Sequence, residues 1–170
     1  DQPRSRGLGD VYKRQVYYMP PGNASVRVKV VDNDGEKNET MSWLRILETV
    51  ELTLENEPID FYQAYPGGEV NALPNKGWPL KIGVGGNVPL NIYQNGTDLV
   101  AMEGASINVT NILWNQTEEG IFTSLSYALQ RIVENLQPGN YQPVYYKLKV
   151  PIVKPYNYSG NLTIFGKYES

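Results

Sequence analysis

The 170-residue chain contains no cysteine and no histidine. Without cysteine there are no disulfides and no thiol chemistry, so the fold has to rest on packing alone. Without histidine the commonest general base is missing, together with Ser-His-Asp chemistry and imidazole metal sites. No phosphate-cradling loop takes their place: Gly83-Val-Gly-Gly-Asn87 lacks both the lysine and the strand–turn–helix setting such a loop needs. No apolar run approaches the roughly 18–20 residues of a membrane-spanning helix, so the domain itself is expected to make no membrane contact. Basic residues are few as well. Lys and Arg number 15 against 18 Asp and Glu, with no basic stripe of the kind phosphate contacts require, which argues against nucleic acid as a partner. The balance is against an enzyme and against a resident cofactor. A carboxylate-pair glycosidase is the one catalytic class the composition leaves open.

What is present reads as strands and turns. Over residues 25–32, Val26, Val28 and Val30 alternate with Arg27 and Lys29, the period-two pattern of a half-buried strand. Residues 50–54, 59–62, 79–84, 88–93 and 106–114 continue the pattern, and residues 143–150 and 160–168 give the two clearest strands. Gly85-Gly86-Asn87 reads as a turn that uses positive φ. Further turns are expected at Pro20-Pro21-Gly22, Pro66-Gly67-Gly68, Asn95-Gly96 and Pro138-Gly139-Asn140. The expectation is an all-β, antiparallel β-sandwich, immunoglobulin-like or jelly-roll, of about 7–10 strands with at most one short helix. Residues 41–48 are the stretch that fits such a helix. Residues 121–136 carry apolar side chains at both helical and strand spacing, and strand is favoured because their surroundings are β.

Residues 5–15 spell Ser-Arg-Gly-Leu-Gly-Asp-Val-Tyr-Lys-Arg-Gln. The segment resembles the in-frame translation of a transposase-based sequencing adapter, and segments of that kind are excluded from fold reasoning. This makes residues 1–15 a non-native, disordered leader and residues 16–170 a single sandwich domain with a truncated N-terminus, from an assembled environmental sample. Setting residues 1–15 aside takes Lys and Arg from 15 to 11 and Asp and Glu from 18 to 16, a net charge of −5. The remaining length suits one domain with one core.

Asn-x-Ser/Thr occurs seven times, at Asn23, Asn38, Asn95, Asn108, Asn115, Asn157 and Asn161. With 16 asparagines and 16 Ser and Thr in the chain, chance supplies only about one or two. The motif marks candidate N-glycosylation sites on exposed backbone outside the cell. Asn108 and Asn161 fall within expected strands and fit least well. Asp32, Asp34 and Glu36 place three carboxylates at alternate positions, a weak calcium candidate; a hairpin turn built on Asn33-Asp34-Gly35 is the preferred reading. Thirteen tyrosines and three tryptophans raise the alternative of a carbohydrate-binding module. Tyr145 and Tyr146 point to opposite faces of one strand, however, and Trp43, Trp78 and Trp114 are read as core.

The order of residues 59–61, 66–67, 79–84 and 87–93, then 136–139, 145–151 and 160–164, resembles immunoglobulin-like and jelly-roll sandwiches of prokaryotic surface proteins, in particular archaeal envelope domains and TasA-like filament subunits. The resemblance covers about residues 50–168 and is one of strand and turn order. It implies an extracellular structural or adhesive module whose partners are other surface-protein subunits, joined by strand addition, and glycans.

Overall fold

The computed structural model describes residues 19–169; the adapter-like segment of residues 1–15 lies outside them. The chain is all-β. Its strands begin with β1 (Gly22–Val31), β2 (Lys37–Ile46), β3 (Leu52–Glu55), β4 (Glu69–Asn71), β5 (Leu73–Pro74) and β6 (Gly77–Trp78). They continue with β7 (Leu80–Val84), β8 (Leu90–Gly96), β9 (Leu99–Ala101), β10 (Ser106–Ile107) and β11 (Ile112–Asn115). Last come β12 (Thr123–Ser124), β13 (Gln130–Leu136), β14 (Tyr141–Lys149), β15 (Tyr158–Ser159) and β16 (Leu162–Lys167). Nine of these have four residues or more, and a 3-10 turn at Val109–Asn111 is the one helical element among the described residues.

Two antiparallel sheets face each other. One runs β12-β11-β14-β7-β3, with β4 also on β14, and the other runs β13-β8-β16. A small sheet, β10-β9-β15, lies at one end. Alternation explains the core. β8 turns Leu90, Ile92 and Gln94 inward, and β14 turns Val144, Tyr146 and Leu148 to meet them. Leu80, Ile82, Ile112, Trp114 and Ile132 fill the space between.

The two central strands are joined through the core by one polar contact. Tyr146 and Gln94 are both 0% exposed, and the Tyr146 hydroxyl donates to Gln94 Oε1 at 2.5 Å. Trp114 stands opposite Tyr146 and Gln130 opposite Gln94 in the strand registers. Trp114 Nε1, Gln94 Nε2 and Gln130 Oε1 are buried without a hydrogen-bond partner among the described residues. Burial holds the Tyr146 phenol far above the ordinary tyrosine range.

Several local expectations are corrected. Residues 41–48 are not helical: β2 takes them to Ile46. Residues 59–62 form a loop, with Tyr62 at φ 49°, because the Asp60 carboxylate accepts from the Tyr62 amide and bends the backbone there. Residues 106–114 are interrupted by the 3-10 turn, which the Asn108 side chain caps by accepting from the Thr110 amide. Asn95-Gly96 is no turn but the end of β8, and a Cβ on Gly96 would meet Leu125 at 2.5 Å. Gly85 and Gly86 are not at positive φ and join strands of different sheets. Close approach explains them: a Cβ on Gly86 would run into the Thr49 carbonyl, and one on Gly85 into the Glu51 carboxyl at 2.7 Å. Residues 121–136 are not helical, but they are strand only at Thr123–Ser124 and Gln130–Leu136, with a bend between; Ile121 and Leu129 are exposed and the core takes Leu125, Ile132 and Leu136 instead.

Removing the Tyr146 hydroxyl strands the Gln94 carbonyl in the core. Tyr146→Phe is expected to cost about 1–3 kcal/mol, and adding Gln94→Leu to recover much of it, because both polar partners then leave together. Urea melts of the two variants measure this. The raised pKa also sets a sign. Its contribution to stability is complete below about pH 10, where an unfolded tyrosine ionises, and is lost as pH climbs beyond that. Tyr146→Phe is therefore expected to lose less stability in alkali than the parent.

Candidate functional site: a free ribbon and a groove at opposite poles

The valine-rich strand forms, but its apolar face is not buried. β1 and β2 pair over ten residues each, from Gly22↔Ile46 to Val31↔Lys37, and neither strand pairs with any strand of the sandwich. One face carries Val26, Val28 and Val30 beside Ser42, Thr40 and Asn38; the other carries Arg27 and Lys29 beside Met41 and Glu39, with Trp43 opposite Ser25. Val30 is 61% exposed and Trp43 70%. The reading of Trp43 as core is thus corrected, because its strand meets no second layer. Trp114 is buried and Trp78 half-buried.

The tip is the expected turn. The amides of Asp34 and Glu36 donate to Asp32 Oδ1 at 3.0 and 2.9 Å, and Gly35 takes φ 84°. Asp32 is therefore engaged by its own backbone, and the calcium candidate Asp32, Asp34 and Glu36 coincides with this turn. Among the described residues no group of three or more acidic side chains is gathered to hold a metal ion.

The root of the ribbon is clamped by one side chain. Asn87 Nδ2 donates to the Leu47 carbonyl at 2.9 Å, and the Thr49 amide donates to Asn87 Oδ1 at 2.8 Å. The Asn87 amide adds a bond to the Thr49 carbonyl at 3.0 Å, and the Gly85 amide one to Glu51 at 3.1 Å. Asn87 thus completes a strand-like ladder that the absence of a Cβ at Gly86 lets close. This root lies at the pole where β7 ends and β14 begins, since Gly139 N donates to Val84 O at 2.9 Å.

At the other end of β14, Leu148 and Val150 enter the floor of an open groove of about 510 Å³. Ile59, Leu99, Ile107 and Val153 complete that floor, and Tyr62, Tyr156, Tyr158, Lys154 and Asn157 stand around it. Asp60, on the same wall, is held by the Tyr62 amide at 2.7 Å and by Lys76 at 3.4 Å. Tyr156 and Tyr158 are tilted 49° to each other, so they form no flat stacking plane. On the outer face of the larger sheet, Trp78 lies parallel to Phe122 within 2° and edge-on to Tyr145. The Lys147 ammonium covers the Phe122 ring at 4.1 Å. These rings pack on each other and on a lysine rather than forming a bare platform.

The sequons sort by the state of the acceptor nitrogen. Asn23, Asn38, Asn157 and Asn161 are exposed. Asn95 is half-buried within β8 with its Nδ2 on Tyr127 O at 3.0 Å, and Asn115 Nδ2 is held by Thr117 and Glu119. Asn108, also exposed, has both side-chain atoms engaged by Thr110 and Tyr127. Asn161 therefore fits better, and Asn95 worse, than strand and turn patterns imply.

No family model matches the chain, and no curated protein does. Among solved structures, a family 123 glycoside hydrolase from Clostridium perfringens is similar over 72% of this chain, with 13% identity and a TM-score of 0.44. The chain spans 25% of that protein.

Asn87→Ala is expected to free the root of the ribbon while leaving the sandwich folded. Hydrogen exchange at the Thr49 amide should then rise about tenfold or more, with amides of β8 and β14 unchanged. Unaltered exchange at Thr49 would show that the clamp is dispensable.

Proposed function

We propose that this chain is a non-catalytic structural or adhesive module of a secreted or cell-surface protein, and that copies of it assemble through the β1–β2 ribbon. The ribbon carries this reading. A two-stranded ribbon that pairs with no strand of the sandwich presents its apolar face to another chain. Here the strands run ten residues each, and three valines on one face and Met41 and Trp43 on the other are exposed. Such a surface marks an interaction site rather than a solvated face.

The seven sequons support an extracellular setting, and the lack of cysteine and histidine, which leaves little of the usual equipment for turnover, supports the non-catalytic reading. A carbohydrate-binding module is the second reading. Its support is the tyrosine rim of the groove, weakened by the tilt between Tyr156 and Tyr158.

Sedimentation velocity over a wide concentration range tests the assembly. The unglycosylated chain is expected to associate, and Val28→Lys, at the middle of the valine face, to weaken association at least tenfold, given about 1.5–3 kcal/mol for burying one such side chain. A chain that stays monomeric up to its solubility limit would overturn the reading. Secretion from a glycosylating host is expected to place glycans on Asn23, Asn38, Asn157 and Asn161 and to leave Asn95 and Asn115 bare, as glycopeptide mass spectrometry would show.

A further inference from the structure

We infer that the ribbon of one copy seats in the groove of the next, so that copies add head to tail in an open row. The inference rests on the ribbon being an assembly element and names what receives it.

Topology supplies the first argument. β14 runs between the two poles: Tyr141 pairs with Gly83 beside the ribbon's root, whereas Leu148 pairs with Val70 and lies in the floor of the groove. Nine residues at about 3.3 Å each put roughly 30 Å between root and groove. No ribbon residue lines the groove of its own copy, and the Asn87 clamp fixes the ribbon's base at the far pole. The occupant therefore comes from another molecule.

Chemistry supplies the second. The groove offers an aliphatic floor, and the ribbon offers Val26, Val28 and Val30, branched aliphatic side chains in one row that are 43%, 49% and 61% exposed. Charge agrees in sign. At the ribbon's tip the turn engages Asp32 but leaves the carboxylates of Asp34 and Glu36 without an ion-pair partner among the described residues, and Lys154 at the groove has none either.

Two unlike surfaces meeting make a heterologous contact, which extends into a row or closes into a ring according to the rotation per step. Both surfaces carry a sequon. Asn38 stands opposite Val30, and Asn157 lies at the groove. A glycan at either would occupy the contact, so copies that carry one there cap the row and copies bare at both extend it.

The absence of cysteine makes the test clean. Val30→Cys and Asn157→Cys, both at exposed positions, are introduced singly and together into unglycosylated protein and mildly oxidised. Mixing the two single variants is expected to give a disulfide-linked dimer that neither gives alone. The double variant is expected to give a ladder of dimers, trimers and larger species on denaturing gels. Dimers from Val30→Cys alone would mean two ribbons packing on each other, which overturns the groove as acceptor while the ribbon reading survives. Absence of cross-links from an assembling chain would also overturn the groove. A chain that does not sediment as an assembly at all would overturn the ribbon reading itself.

Discussion

The hydrogen bond from Tyr146 to Gln94 is the contact on which the arrangement of the two sheets turns. It joins the central strand of each layer across an interior that is otherwise almost entirely apolar. A chain with no disulfide has few ways to fix how one sheet sits over the other, because apolar packing tolerates sliding more readily than a buried polar pair does. A buried hydroxyl and a buried amide meet their needs in one relative position of β8 and β14. Shifting either strand by one residue would turn its inward row to solvent and would also part the pair.

β14 then sets the geometry of everything outside the core. Its first residues lie against β7 at the pole where the ribbon is rooted, and its last form part of the groove floor. The rigidity of the core thus becomes a fixed distance and direction between two apolar surfaces. An isolated two-stranded ribbon is marginal in water, and this one draws on local devices: the Asp32 turn, the Arg27–Glu39 ion pair and the Asn87 ladder. Those devices hold its shape without covering its valines.

Much of this was legible in the sequence and some was not, for identifiable reasons. Period-two alternation found β1, β3, β7, β8, β14 and β16, since alternation is a local property of a strand. The same pattern at Val26, Val28 and Val30 implied a buried face, and there it misled: alternation reports that one face is apolar, not that a second layer covers it. Trp43 failed for the same cause. Gly85 and Gly86 were read as turn glycines because positive φ is the commoner reason for glycine, whereas here a neighbouring segment some 38 residues earlier in the chain, Thr49 against Asn87, demands the missing side chains. The groove draws on five separated stretches of chain and has no local signature. Asn87 could have been suspected from an asparagine following two glycines, but its partners lie too far away in sequence to name.

The exposed ribbon and the acidic sandwich also differ in charge. The two strands of the ribbon carry Arg27, Lys29, Lys37 and Arg45 against Glu39 alone, with the acidic residues gathered at its tip. Fixed charge along an edge normally keeps strands from pairing at random. Here Arg27 and Lys29 sit on the face away from the valines, so repulsion between like ribbons opposes edge-to-edge stacking yet leaves the valine face uncharged. With Asp32, Asp34 and Glu36 at its tip the ribbon sums to zero, whereas the body, at −5 once residues 1–15 are set aside, repels another body. The charge distribution thus disfavours contact between two bodies and leaves the contact between ribbon and body unopposed, as a head-to-tail assembly requires.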